Sequence, residues 1–548
     1  MPLRVRALLP SLLGASLALA QSPVQLGQEA GRAYQAKAWV EAARLYAQAA
    51  AQDTTDPSLA YNAACSFALA GDREQAFTWL ERAHQAGYLE AEATGRDSDL
   101  QGLHGDARWA PFLARMAATR DARAKTLARL WDSPALATPF QEELPEDERI
   151  AGLSKFWSEV KYNFVDTERL AELDWDGLYL RTLPRVRAAR RTADYYRVLQ
   201  ELCAQLRDGH TNVGLPPVLA EREAARPLIR ARWVEDRVFV SEVGEEALRA
   251  QGVVPGLEIT AVEGRPVRAY LEAEVMPWQS ASTTQDLRHR ALTFAFLAGP
   301  LTGSPAVTFQ PIHGAPFTVK LPRVTGAERP KHFAPLPAFT TRWLPGNVML
   351  VGLNSFGDDT PLKAFEQALP ELTKARALIL DLRENGGGNS SVGYRILAHL
   401  TATPFATSHW STRDYKPTFR AWGRGLQTYD GGSGRVDPAP GAPYTGPVAL
   451  LMGPGTYSAA EDFAVAFDAL KRGPLVGEAS GGSTGQPLFF RLPGGGNARV
   501  CTKRDTYPDG KAFVGVGVQP TRLARLSLAD FRAGRDTVLE VALAELKR

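Results

Sequence analysis

Apolar residues in the last third of the chain come in short blocks separated by amphipathic stretches. Val348–Leu353, 377–382, Val448–Met452 and 474–477 are apolar runs too brief for a typical helix, and each reads as a buried strand. Between them, residues 361–374, 391–400 and 458–471 carry apolar side chains at helical spacing, which predicts helices. Strands separated by helices of this length build βαβ units.

One of these units concentrates the candidate chemistry. The strand Val448–Met452 is broken by Gly453, Pro454 and Gly455, and a helix begins near Ser458, with Phe463, Phe467 and Leu470 on its apolar face. A serine at such a junction has its hydroxyl beside free backbone N–H groups and the positive end of a helix dipole. That environment suits a nucleophile and the oxyanion it creates. A serine there also serves as a plain N-cap. A second strand, 377–382, runs into Asn385, Gly386, Gly387 and Gly388, and a turn at Asp208, Gly209 and His210 presents an isolated histidine. The glycine triplet by itself equally suits an ordinary loop, and the histidine a structural role.

The first half of the chain is patterned differently. Arg4 and Arg6 precede an apolar stretch that ends in Ala18, Leu19 and Ala20. This predicts a signal peptide over residues 1–20, a cleaved leader too short to span a bilayer, and a secreted or periplasmic mature protein. From residue 28 to 88 a period of 34 relates Ala30, Ala42 and Ala49 to Ala64, Ala76 and Ala83. Period and small residues resemble tetratricopeptide repeats, expected over 21–117. Such repeats can dock a protein partner or merely pack on the rest of the chain. Residues 118–215 stay helical and deliver the Asp208–His210 turn. Residues 216–335 switch to strands, among them Arg237–Val243, and the part from 226 to 275 resembles a PDZ domain, a module that accepts a peptide end as an added strand.

Taken in order, His210 in its turn, the strand before Gly387, the Ser458 junction, and the glycine-rich segments 477–485 and 515–520 resemble the C-terminal processing (tail-specific) serine peptidases and the core of the tricorn peptidase. The resemblance implies a crotonase-like α/β peptidase core over 336–548, and so a multidomain chain of helical repeats, helical bundle, PDZ-like β-rich insert and peptidase. It implies Ser458 as nucleophile, with the Ala459 N–H and a second N–H from Gly387, or Gly388 next to it, as oxyanion hole. In the processing branch a lysine about 25 residues after the serine is the base. Here Ser483 falls on that position, or Gln486 in a shifted alignment, and no lysine lies between Lys471 and Lys503. His210 is the expected replacement, as in the tricorn branch, because histidine titrates near neutrality. A serine precedes the histidine in that branch, and Gly209 stands there in this chain. Glu461, one helical turn after Ser458, is a candidate orienter. Asp208 reads as a turn former, and Glu478, Asp505 and Asp509 are weaker candidates.

Composition narrows the function further. The 548 residues carry a net charge of +3 with acids and bases interspersed, which gives no footprint for nucleic acid. Three cysteines far apart make no disulfide framework and suit buried thiols. No metal-ligand spacing, dinucleotide fingerprint or phosphate loop is present, so no cofactor is expected. The expected activity is hydrolysis of unfolded or tail-exposed polypeptide through an acyl-enzyme. The alternatives are an inactive peptide- or lipid-binding member of the same family, and a crotonase-type acyl-group enzyme without a serine nucleophile.

Overall fold

A computed structural model of the chain describes residues 21–547. The expected signal peptide lies outside the described residues. The chain divides into two compact units, one ending at Trp131 and the other beginning at Asp132.

The first unit is helical. Pro23–Gln35, Trp39–Gln52, Pro57–Leu69 and Arg73–Gln85 pack each on the next, followed by Ala91–Arg96 and Trp109–Trp131. Ser22, Asp56 and Asp72 accept backbone N–H groups at three of the helix starts, which satisfies donors the first turn leaves unpaired. The six alanines of the 34-residue period are all fully buried. A single methyl at each contact lets the helix axes approach closely. Cys65 in this unit, and Cys203 and Cys501 in the next, are buried free thiols.

The second unit is built on a six-stranded sheet. Phe339–Leu344 pairs antiparallel with Val348–Leu353 at one edge. From there Val348–Leu353, Ala377–Asp381, Val448–Met452, Leu475–Gly477 and Arg522–Leu523 run parallel in that order. All five side chains of Val448–Met452 are buried, because helices cover both faces of the sheet. Thr360–Leu372, Ser390–Ala398 and Ala459–Ala469 pack on one face around Phe365, Phe463 and Phe467, and Thr537–Glu545 covers the other. A sheet buried on both sides reads as continuous apolar runs, which is why these strands stood out in the sequence.

Three smaller layers attach to this sheet. The helices Glu146–Asn163, Trp175–Ala188 and Thr192–Ala204 share a core with a three-stranded sheet in which Asn212–Gly214 pairs with Asn497–Cys501. The insert forms its own sheet, ordered Ile229–Val234, Arg237–Val243, Glu258–Val262, Ala306–Gln310, Phe317–Lys320, with Thr284–Arg290 beside it. A long hairpin, Phe405–Asp414 with Gln427–Val436, extends from the core. Among the described residues no helix is long and apolar enough to cross a membrane.

Candidate active site

Three loops leave neighbouring parallel strands at their carboxyl ends: the glycine turn after Asp381, the turn to Ser458 after Met452, and residues 478–485 after Gly477. Carboxyl ends of such strands are where open α/β sheets bind ligands. Ser458 sits immediately before the helix Ala459–Ala469 with φ +56° and ψ −125°. Such a conformation is costly for any residue with a side chain and persists only where the surroundings enforce it. Here the Ser458 N–H donates to the carbonyl of Ser483 at 3.1 Å and to Glu461 Oε2 at 3.2 Å. Ser458 Oγ lies 3.0 Å from His210 Nε2, across 248 residues of sequence.

His210 is delivered by the end of the helix Thr192–Ala204 and fixed by the turn that follows. Asp208 Oδ1 accepts the His210 N–H at 2.9 Å and the Thr211 hydroxyl at 2.8 Å, so Asp208 forms the turn, as expected. The imidazole is only 4% exposed. Burial, with the nearby cations Arg499, Arg290 and Lys503, pushes it down to about 3, so the ring is neutral at ordinary pH and able to accept a proton.

Glu461 does not touch His210. Its buried carboxylate accepts from the Ser480 hydroxyl (2.5 Å) and from the N–H groups of Gly482 (2.7 Å), Ser483 (2.9 Å) and Ser458. Burial pushes it up to about 8 against these four donors. Glu461 therefore anchors the 480–483 loop and is not the histidine's direct partner. Glu478 pairs with Arg525, Asp505 with Lys503 and the Thr484 hydroxyl, and Asp509 with the Lys511 N–H, all away from the imidazole.

The glycine turn is pressed against the serine. A Cβ at Gly387 would fall 2.6 Å from Ser458 Cβ and 3.0 Å from the Ala459 nitrogen, and one at Gly388 would strike the Phe356 carbonyl. Both glycines have positive φ, +96° and +137°, so only glycine fits without strain. The Gly387 N–H, expected as an oxyanion donor, is taken up by Asn385 Oδ1 at 2.9 Å, while Asn385 Nδ2 is held by the Leu353 carbonyl. The N–H groups of Gly388 and Ala459 find no acceptor among the described residues.

Residues 347–523 match the model of peptidase family S41. The chain carries a serine peptidase domain of family S41. No curated protein matches the chain. Among solved structures, mature CPAF is 15% identical with a TM-score of 0.59, covering 73% of this chain and 96% of its own. Mature CPAF complexed with lactacystin is also 15% identical, with a TM-score of 0.58 and coverage of 73% and 99%. At this identity the likeness shows a shared fold. The S41 match begins at residue 347, so it includes Ser458, Gly387, Gly388, Ala459 and Glu461 but not His210.

Beside the turn at 453–455 a cavity of about 780 Å³ opens between insert and core, lined among others by Arg232, Leu257, His289, Arg383, Pro454 and Gly455. Two side chains near His210 were given no role from the sequence. Ser483 Oγ lies 2.8 Å from His210 Nδ1, and the Tyr457 ring stacks on the imidazole with centroids 5.0 Å apart and planes 7° apart. The only sequence cue to Ser483 was its place at the processing branch's lysine.

Proposed function

We propose that this protein is an exported serine endopeptidase that cleaves unfolded or tail-exposed polypeptides through an acyl-enzyme on Ser458, with His210 as general base. The observation that carries this reading is the 3.0 Å contact between Ser458 Oγ and His210 Nε2. It joins a strained serine, partly open to solvent, to a buried neutral imidazole. In the first half-reaction Ser458 Oγ attacks the scissile carbonyl carbon and its proton passes to His210 Nε2. The oxyanion is stabilised by the N–H groups of Ala459 and Gly388, the two beside Ser458 that no acceptor among the described residues takes up. The C–N bond then breaks, and the leaving amine takes the proton from His210. Water repeats the sequence on the ester: His210 takes its proton, the acyl carbon–Ser458 bond breaks, and the serine recovers its hydrogen.

The same reading assigns the crotonase-like core to residues 336–548, substrate recruitment to the PDZ-like insert within 216–335, and protein docking to the tetratricopeptide-like helices over 21–117. The cavity between insert and core, which reaches the 453–455 turn ahead of Ser458, supports an approach for extended polypeptide. A fluorophosphonate probe tests the assignment: the adduct is expected on the peptide containing Ser458, and labelling elsewhere, or none, overturns it. Gly388→Ala keeps the N–H but drives a Cβ into the Phe356 carbonyl, so it should displace this donor and lower kcat on the order of 10²-fold, the scale of one lost oxyanion contact. Wild-type kcat there would remove Gly388 from the hole. For the address, N-terminal sequencing of the native protein should begin at Gln21, and a retained Met1 would exclude export through this leader.

A further inference from the structure

The reading of Ser458 and His210 leaves a requirement unmet. For Nε2 to accept a proton, the neutral ring must carry its hydrogen on Nδ1, and a buried Nδ1–H needs an acceptor. Triads commonly place a carboxylate there. In this chain Nδ1 faces hydroxyls. Ser483 Oγ is 2.8 Å away, Tyr457 Oη is 3.3 Å away, and the two hydroxyls are 2.9 Å apart. Ser483 also receives the Ser458 N–H on its carbonyl, so one residue braces both members of the dyad.

A carboxylate lies just beyond. Asp286, only 1% exposed, accepts the Ser282 N–H at 3.2 Å on Oδ2, while its Oδ1 is buried without any hydrogen-bond partner. Gly209 shows how these groups converge. The space a Cβ would take at Gly209 is filled by Tyr457 Oη, with Asp286 Oδ2 at 3.0 Å and Ser483 Oγ at 3.1 Å from the same point. Tyr457, Ser483 and Asp286 therefore occupy the volume that a side chain before the histidine would need.

We infer that His210 is oriented by a relay of two hydroxyls ending on a carboxylate from the insert: Nδ1–H to Ser483 Oγ, Ser483 O–H to Tyr457 Oη, and Tyr457 O–H to Asp286 Oδ1. This rests on the assignment of Ser458 and His210 as nucleophile and base. In this direction each hydroxyl accepts once and donates once, and the orphaned Oδ1 gains the donor it lacks. In the structure the Tyr457 O–H donates to Ser483 Oγ; the relay turns that hydrogen round, so the reversed Ser483–Tyr457 bond and the final bond from Tyr457 to Asp286 are both what the inference adds. No other carboxylate meets the need. Glu461 is occupied by four donors, and Asp208 is spent on the turn. The charge matters because Arg499, Arg290 and Lys503 surround the imidazole and oppose its protonation. A negative terminus offsets them when His210 takes the serine proton.

The insert holds its end of the relay in register with the other. Thr283 Oγ1 donates to the Gly481 carbonyl at 2.8 Å, Gln285 Nε2 donates to the Ser480 and Val516 carbonyls at 3.1 and 2.9 Å, and Ser282 Oγ accepts the Gly209 N–H at 3.0 Å. Asp286, Ser483 and the histidine turn thus form one frame. Ser483, Tyr457 and Asp286 are positioning residues and touch no substrate.

Two measurements on the full chain test the relay. Kinetics on an unfolded protein substrate should show Ser483→Ala, Tyr457→Phe and Asp286→Asn each losing kcat on the order of 10²-fold, with KM changed less than about threefold. Ser483→Thr, which keeps the hydroxyl, should recover most of the loss. Paired substitutions should cost little more than the worse single one, because the members act as a unit. The second readout needs no turnover. In ¹⁵N-histidine-labelled protein, His210, assigned by its absence in His210→Gln, should show a hydrogen-bonded Nδ1–H that Ser483→Ala abolishes. An Nε2–H tautomer in the wild type, or Ser483→Ala and Tyr457→Phe with unaltered kcat, overturns the relay. Asp286→Asn with unaltered kcat removes its terminus. A chain inert to substrate and to fluorophosphonate, but with the bonded Nδ1–H, supports the relay and sinks the peptidase reading instead.

Discussion

Ser458→Ala is expected to reduce turnover of an unfolded protein substrate by about 10⁶-fold, the scale seen when the serine of a triad is removed. The residual rate would come from binding and the oxyanion donors alone. The fold should survive, because the start of the helix Ala459–Ala469 is also held through the Ser458 N–H, which donates to Glu461 Oε2 and to the Ser483 carbonyl. Alanine has a Cβ as serine does, so the strain at φ +56° is carried over unchanged. Steady-state kinetics and a thermal melt on the same preparation check both halves. An unchanged melting temperature with wild-type turnover would remove Ser458 as nucleophile. A large fall in melting temperature would mean the Ser458–His210 contact also holds the two segments together.

The sequence carried the parts of this site that depend on local pattern. Val448–Met452 was legible because every one of its positions is buried, and Ser458 because a glycine-rich break separates that strand from a helix. The glycines at 387 and 388 were legible for a similar reason, since close backbone approach leaves no room for a Cβ. The hairpin Phe405–Asp414 with Gln427–Val436 was not. Its second strand is mostly exposed and contains Gly431, Gly432 and Gly434, so it shows neither alternation nor an apolar run. The partners of His210 were hidden for a different reason. Ser483 is 273 residues from it, and a lone serine has no periodic signature. Asp286 looks like an ordinary acid in a first helical turn behind the N-cap Thr283. Glu461 misled in the opposite sense: its helical position beside Ser458 was right, but its oxygens turn to the 480–483 loop.

His210→Gln should cut kcat/KM by several orders of magnitude at neutral pH, approaching the loss at Ser458, because nucleophile and base act together. Glutamine keeps a polar side chain in the pocket but cannot accept the serine proton. The pH dependence should carry a particular sign. Burial and the surrounding cations hold the folded-state value at about 3, below the ~6.5 of an unfolded histidine. Between these two values the unfolded chain binds a proton that the folded chain refuses, so stability is lost as pH falls from 6.5 toward 3. That contribution should vanish in His210→Gln, and its melting temperature should decline less steeply with acid than the wild type's. An activity limb near neutrality would belong to another group. Asp286, raised to about 7 by burial, faces the same pocket, and an inflection there should disappear in Asp286→Asn. The deciding comparison is His210→Gln against the wild type at pH 8, where neither histidine protonation nor acid unfolding contributes. Near-wild-type kcat/KM at that pH would show that the Ser458 proton goes elsewhere, and with Lys503 already paired to Asp505, the Nε2 contact at 3.0 Å would then be structural.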